Sequence, residues 1–265
     1  MAVGQRGTCA ILLALAAGNG LNASILGTPQ AEFRHTYALA PNGRVVIQNL
    51  YGDVSITGWD RDEVRVEAIK RSVDPRHLDD ARIIVDSSSG SLSIHTQYAG
   101  SDAERPARVE YRITVPRGAN LEDIKLINGG LSISGVTGPV KASSVNGSIK
   151  AENLQGQAEL STVNGQLDAA FDRISRQNSI SLSSVNGPIK LSIPSGSGAS
   201  VTARNLSGGI DSEFGRVVRS TGVHHLQTVV HGGGAPIHVH NVNGGISIHT
   251  AFHATCGRRS LHPVS

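Results

Sequence analysis

Residues 126–172 read LINGGLSISGVTGPVKASSVNGSIKAENLQGQAELSTVNGQLDAAFD, and within them Gly129, Gly138, Gly147, Gly156 and Gly165 stand nine residues apart. Two places after each glycine comes an apolar residue: Leu131, Val140, Ile149, Ala158 and Leu167. Two further on comes another: Ile133, Ala142, Ala151, Leu160 and Ala169. Side chains two apart share one face of a strand. A third apolar position, seven after the glycine, is filled by Val136, Val145, Leu154 and Val163 before Asp172 breaks the series. Each unit therefore reads as turn, short strand and corner. The residue before the glycine adds a second order, because Asn128, Asn146 and Asn164 alternate with Thr137 and Gln155. The full period is eighteen, two strands per coil.

A fixed period of this kind marks a solenoid, in which stacked coils bury a core that no single coil can bury alone. The rival is an antiparallel meander, since Asn-Gly between apolar alternations is also a strong hairpin signal. Nothing in a meander requires residues eighteen apart to be alike. In a coil they sit one above another at the ~4.8 Å strand spacing, where identical side chains form ladders. Asn128, Asn146 and Asn164 are the expected ladder.

The same turn and strand recur outside this stretch. Gly52, Val54, Ile56 and Trp59 repeat it early; Asn186-Gly187, Gly208 and Asn243-Gly244 repeat it late. Insertions at 171–179, 194–200 and 213–234 separate the late copies, and such insertions map to corner loops, the first candidates for a binding surface. Val64, Val66 and Ala68, then Val109, Tyr111, Ile113 and Val115, alternate as half-buried strands do. Between them Asp74-Pro75 followed by Leu78, Ala81 and Ile84 predicts one short helix near residues 75–85, with Asp74 as N-cap. Gly90, Leu92 and Ile94 form another strand, and residues 99–106 a polar loop.

The composition suits a narrow β-coil. In 265 residues there are 31 glycines, 3% aromatics and one tryptophan, so Val, Ile, Leu and Ala must supply the core. Lysine and arginine (24) nearly balance aspartate and glutamate (21), and no basic run is interleaved with aromatics, which speaks against nucleic acid as partner. Arg6 followed by the apolar run CAILLALAA from Cys9 to Ala17 resembles a secretory signal peptide and is too short for a membrane-spanning helix, which needs ~20 residues. The segments expected are thus 1–31, a signal peptide or disordered N-terminus; 32–255, one elongated domain; and 256–265, a tail. Within the domain 32–120 is irregular, 121–172 regular and 173–255 looser. Cys256 is then the one cysteine of the mature chain, and no internal disulfide forms.

In order along the chain, NLYGDVSITGWDRDEVRVEA (Asn49 to Ala68), RVEYRITVP (Arg108 to Pro116), the recurrent Asn-Gly elements and GGGAPIHVHNVNGGISI (Gly232 to Ile248) resemble a bacterial adhesin-like domain family of unknown function. The likeness spans about residues 40–250. It implies a right-handed β-solenoid in an exported or membrane-associated bacterial protein. The "adhesin" of that family's name is itself a conjecture, and no catalytic residues carry over from it.

Catalytic signatures are not met. PSGSGAS (Pro194 to Ser200) lacks the Gly-x-Ser-x-Gly spacing of a nucleophile elbow, and Gly232-Gly233-Gly234 has no following Lys-Ser/Thr for a phosphate loop. The repeat places Ser, Thr, Lys and Glu where calcium-binding coils carry aspartate. Glu152, Glu159, Asp168, Asp211 and Glu213 fall on different phases of the repeat, which does not suggest a paired-carboxylate glycosidase. No cofactor is expected. Eight of the eleven histidines lie in the last 42 residues. Of these His238, His240 and His249 are the candidates for a transition metal, against a plain solvent face of the last coils. In an eighteen-residue coil His249 stacks over His231 and lies opposite His240, which weakens a three-ligand site.

The expected function is that of a non-catalytic, exported interaction module presenting loops and β faces to a cell-envelope component, carbohydrate or protein, monomeric or weakly oligomeric. The alternative is a scaffold that self-assembles by adding coils at open ends. The charged segments 61–71 and 258–265 are expected to cap those ends. A carbohydrate-active β-helix enzyme ranks behind both.

Overall fold

Alternating apolar residues become strands here because only every second side chain reaches the interior. The computed structural model describes residues 30–99, 107–215, 217–220 and 223–251. The chain opens with β1 (Gln30–Ala38), β2 (Arg44–Tyr51), β3 (Val54–Trp59), β4 (Glu63–Arg71), β5 (Ala81–Ser87), β6 (Ser91–Tyr98) and β7 (Arg108–Pro116). The regular stretch contributes β8 (Asn120–Asn128), β9 (Leu131–Ser134), β10 (Val140–Asn146), β11 (Ile149–Leu154), β12 (Ala158–Asn164) and β13 (Leu167–Phe171). Then follow β14 (Ile180–Asn186), β15 (Ile189–Pro194), β16 (Ala199–Ser207), β17 (Ile210–Ser212), β18 (Val218–Ser220), β19 (Val223–Val230), β20 (Ala235–Asn243) and β21 (Ile246–Ala251). Of the expected segment 1–31, residues 1–29 lie outside the described residues, as do Cys256, the tail and residues 100–106 of the expected polar loop, whereas Gln30 and Ala31 already belong to β1.

These strands form two sheets. Sheet I has ten strands in the order β1-β4-β7-β3-β9-β11-β13-β15-β21-β17, and sheet II eleven, β18-β19-β16-β20-β14-β12-β10-β8-β2-β6-β5. The coils run up sheet II, turn at a corner and continue in sheet I; the corners of β8/β9, β10/β11, β12/β13, β14/β15 and β20/β21 are Asn-Gly, and those of β2/β3 and β16/β17 are Tyr51-Gly52 and Ser207-Gly208. Coils stack in parallel with the eighteen-residue offset of the repeat: Val140 lies opposite Ala158 in sheet II and Ile149 opposite Leu167 in sheet I. The meander is thereby excluded for the central region.

The coils do not stack in chain order. The second coil, β6/β7, lies outside the first, β2/β3, and the last coil, β20/β21, is wedged between β14/β15 and β16/β17. Antiparallel strands close the ends: β4 and β1 on β7, β5 on β6, and β19 with β18 on β16. The charged segment 61–71 therefore does contribute to a cap as β4, but β1 covers it. The insertion 213–234 holds the capping strands β18 and β19, where a corner loop was expected.

The helix expected near 75–85 is also corrected. Only a single 3-10 turn, Pro75–His77, forms, with Asp74 accepting from the Arg76 backbone N–H at 3.0 Å. The β-branched run Ile83-Ile84-Val85 then pairs with β6 as a strand, because sheet pairing hides more of these side chains than one face of a short helix would.

One core runs between the two inner faces, made of residues such as Val45, Ile47, Leu121, Ile149, Leu160, Ile189 and Ile237, with Tyr111 and Phe171 its largest side chains. Burying each such aliphatic side chain contributes ~1.5–3 kcal/mol. The corners impose the tighter constraint. A Cβ on Gly147 would stand 1.9 Å from the carbonyl oxygen of Gly129 below it, one on Gly165 2.4 Å from that of Gly147, and one on Gly187 2.1 Å from that of Gly165. The second corner column behaves alike, Gly156 against Gly138 at 2.3 Å. Glycine is required by coil-to-coil backbone contact.

Those stacked carbonyls need donors, and a buried polar column supplies them. Ser144 Oγ donates to Gly129 O (3.3 Å), Thr162 Oγ1 to Gly147 O (3.0 Å), Asn241 Nδ2 to Gly187 O (3.1 Å) and Asn205 Nδ2 to Gly244 O (2.7 Å). Ser184 stands in the same column with its buried hydroxyl unpaired. Leu126 occupies the column where Asn49 already donates to Gly52 O (3.0 Å) and Val109 O (2.9 Å), so no donor is needed there. At this end the Tyr111 hydroxyl donates to Thr96 Oγ1 (2.7 Å), which donates to Asn49 Oδ1 (3.0 Å).

Two outcomes are expected. Gly147→Ala should lower stability by ~3 kcal/mol or more, since backbone clashes are among the few large single-residue effects, whereas Gly90→Ala, whose Cβ meets nothing within 4 Å, should stay within about 0.5 kcal/mol of the parent; denaturant melts decide this. Burial pushes the Tyr111 phenol up to about 12. A raised folded value means that the contribution is complete below the unfolded value near ~10 and is lost as pH rises toward 12. Stability should therefore fall between those pH values, and Tyr111→Phe should flatten the decline.

Candidate functional site

Opposite the core, sheet II presents an outer face whose side chains stand in rows along the stack, since parallel in-register strands place equivalent residues above one another. The row at the corner is the asparagine ladder. Asn146 Nδ2 donates to Asn128 Oδ1 (3.0 Å), Asn164 to Asn146 (2.9 Å), Asn186 to Asn164 (3.0 Å) and Asn243 to Asn186 (2.9 Å). The expected three-membered ladder thus extends to five and includes the late repeats.

Beside it runs an exposed aliphatic row: Leu50, Ile127, Val145, Val163, Val185, Val242 and Leu206, one from each of seven successive strands. All but the half-buried Val242 keep between 37% and 54% of their surface in solvent. Six strand intervals make this ridge ~29 Å long. Single exposed aliphatics are ordinary, but a contiguous apolar patch marks an interaction surface. Here the apolar position seven after each glycine splits in two: Val136 and Leu154 are buried at one corner, while Val145 and Val163 face solvent near the other. Treating the four as one series, on a nine-residue period, hides the ridge. The alternation of Asn with Thr137 and Gln155 is the signal that separates them.

Two further rows complete the face. One carries Lys125, Ser143, Ser161, Ser183, His240 and Arg204; the other Lys141, Glu159, Ser181, His238 and Thr202. A shallow dip on it is bordered by Asp123, Lys125, Lys141, Ser143, Glu159 and Ser161.

The carboxylates considered for catalysis are dispersed. Glu159 pairs with Lys141 (3.0 Å) on sheet II, whereas Glu152 pairs with Lys150 (2.8 Å) and Asp168 accepts from Gln166 Nε2 (2.7 Å) on sheet I. Exposed pairs of this kind add little to stability, because solvent screens them. Asp211 and Glu213 do come together, around His249, at 3.8 and 3.5 Å. The backbone N–H of Thr250 donates to Glu213 and holds its carboxyl below the usual range.

The histidine candidates are divided between faces: His238 and His240 project from β20 on sheet II, and His249 from β21 on sheet I. Among the described residues no three His, Cys, Asp or Glu side chains converge to hold a metal ion. Of the insertions expected at 171–179 and 194–200, residues 172–179 and 195–198 form loops at the return corner, across the coil from the Asn-Gly turn, where Asn178 Nδ2 donates to Gln155 O (3.3 Å) and His231 Nδ1 meets Ser197 O (3.4 Å), while Ala199 and Ser200 already belong to β16. Among the described residues no helix is long and apolar enough to cross a membrane.

None of the curated proteins matches the chain. Among solved structures, a candidate cell adhesion protein of Clostridium sporogenes is 13% identical, with 83% of this chain and 100% of that one covered and a TM-score of 0.48. A candidate adhesin of Bacteroides fragilis is 9% identical over 83% and 97% of the two chains, with a TM-score of 0.42. A candidate lipid binding protein of Parabacteroides distasonis is 14% identical over 83% and 97%, with a TM-score of 0.38. The family model described as Toastrack DUF4097 matches residues 35–249, so the chain belongs to the Toastrack DUF4097 family, a family of domains of unknown function.

Proposed function

We propose that this chain is a non-catalytic, adhesin-like interaction module, exported from the cell, whose right-handed stack of coils presents the outer face of sheet II to a cell-envelope component, a carbohydrate or a protein. The observation that carries this reading is the aliphatic ridge beside the asparagine ladder, a long flat surface of alternating apolar and amide character. Such a face suits an extended partner. Apolar ridge and amide row together offer van der Waals contact and paired donors and acceptors at a regular spacing, with affinity summed over many shallow contacts. The dispersed carboxylates and shallow relief of the face favour recognition over bond cleavage, which needs paired groups held around one reacting centre.

The capped ends favour a discrete rod over a scaffold that grows by coil addition, since three of the four sheet ends are finished by antiparallel strands.

The test is a binding panel of glycans, peptidoglycan and envelope fractions with the full chain, followed by Val145→Thr/Val163→Thr on the ridge. The reading expects a saturable binder whose affinity drops by about ten-fold or more, ~1.4 kcal/mol, while the melting temperature holds. Hydrolytic or lyase turnover of a panel member, or binding indifferent to the ridge, would contradict it.

A further inference from the structure

The two ends of the stack differ in charge. From Arg173 to Ala251 the chain carries six lysines and arginines (Arg173, Arg176, Lys190, Arg204, Arg216, Arg219) against two carboxylates, Asp211 and Glu213, a balance of +4. Both carboxylates are engaged on the sheet I side, with His249 and with the Thr250 backbone. Lys190 lies on sheet I, so the described basic groups on the outer face of sheet II at this end are Arg204 and the histidines 225, 238 and 240.

There the register sets His240 beside Arg204 and Arg204 beside His225 on three adjacent strands, β20, β16 and β19, so the three groups form one row at the ~4.8 Å strand spacing. His238 stands one step along β20 on the same outer face. The neighbours facing these groups are neutral: Ser181 and Ser183 on β14, Thr202 on β16, Gln227 on β19 and Val218 on β18. Beyond β14 the nearest acid on this face is Glu159 of β12, which is held by Lys141 at 3.0 Å. At the return corner, where β20 begins, the nearby charged or titratable groups are Arg176, alongside Gly234, and His231. Arg204 is exposed, and among the described residues no carboxylate pairs with it. Four protonatable or cationic groups thus face solvent together without a counter-charge.

We infer that the row His240–Arg204–His225, with His238 beside it, is a binding site for a linear phosphate-bearing polymer, engaged more tightly in mildly acidic solution. The row runs along the stack axis, so a chain of phosphates laid along it meets a cation at each strand. The guanidinium of Arg204 offers paired N–H donors matched to phosphate oxygens, and charge-assisted bonds of this type are about twice as strong as neutral ones. Protonation of an imidazole turns its acceptor nitrogen into a donor and adds positive charge, here where no acid among the described residues offsets it. A phosphate polymer is chosen over single-stranded nucleic acid because bases stack best on the larger rings of Phe, Tyr and Trp, and β14, β16, β19 and β20 carry none of these. The inference deepens the reading of sheet II as the recognition face and rests on it.

The experiment titrates fluorescently labelled inorganic polyphosphate with the full chain at pH 5.5 and pH 8.0, at fixed ionic strength. Affinity should be at least about ten-fold greater at the lower pH. Arg204→Gln/His240→Gln, both exposed positions, should remove most of that gain with an unchanged thermal melt. Lys190→Gln, which deletes one charge from sheet I, should leave it in place. Equal affinity at the two pH values, no binding at pH 5.5, equal loss in Lys190→Gln, or tighter binding of an oligodeoxythymidine of matched charge would each overturn the inference. The ridge variant Val145→Thr/Val163→Thr, assayed on the envelope panel, reports separately on the wider reading: loss of panel binding there alongside failed polyphosphate binding leaves sheet II as a recognition face and removes only the phosphate site.

Discussion

Backbone meets backbone at every Asn-Gly corner, and that contact governs the rest of the molecule. Coils stacked at the ~4.8 Å strand spacing leave no room for a Cβ where one glycine carbonyl points at the next glycine, with would-be separations of 1.9 to 2.5 Å along the column from Gly129 to Gly244. Once the corners are in register, the side chains on either side are in register too. Serine, threonine and asparagine within the column then cap the glycine carbonyls, asparagines outside it chain together through their amides, and the valines between them line up into the ridge. A recognition surface and a structural device thus share one cause. Close approach at the corners also explains the core: small aliphatic side chains fill the narrow space, and Phe171 and Tyr111 are the rare large ones.

The ends of the stack are built differently from its middle. At both ends the chain lays a coil outside its neighbour in space and not after it in sequence, so the final coil β20/β21 has a coil on each side of it. A terminal coil held on both sides buries both of its hydrogen-bonding edges, whereas one left at the end would expose a row of unpaired backbone groups. Antiparallel strands then close three of the four sheet ends, and the fourth, β17, is only three residues long. With the edges closed in this way, the long faces are the surfaces left for contact. Their charge is uneven, balanced pairs such as Lys141–Glu159 giving way to the unpaired basic row around Arg204.

Much of this was legible in the residues themselves. Nine- and eighteen-residue spacing gave coils of two strands, and the asparagines at 128, 146 and 164 formed the ladder that their period implied. What escaped did so for physical reasons. Val145 and Leu154 look alike on a nine-residue count, yet one precedes an Asn-Gly corner and faces water while the other turns inward at the opposite corner. The segment 75–85 has helical spacing, but pairing with β6 outweighs it. The order of coils was not legible, because the tokens SVNG and NVNG are nearly identical and carry no information about which lies on which. Asn49, Asn205 and Asn241 did leave a trace, each three residues before a corner glycine, where a buried amide reaches the stacked carbonyl. The histidines at 238, 240 and 249 could not form one cluster, since β20 and β21 belong to different sheets.

The stacking order is most directly tested by cysteine cross-linking in a chain whose native Cys9 and Cys256 are changed to serine. Val185 lies opposite Val242 on adjacent strands, and Leu206 lies on the far side of Val242, one strand further out. Disulfides form across Cα separations of ~4.4–6.8 Å, within reach of neighbours at ~4.8 Å but not of strands two intervals apart. Val185→Cys/Val242→Cys should therefore oxidise readily within one chain, and Val185→Cys/Leu206→Cys should stay reduced. The reverse pattern would mean that the coils follow chain order, and the wedged last coil would be wrong.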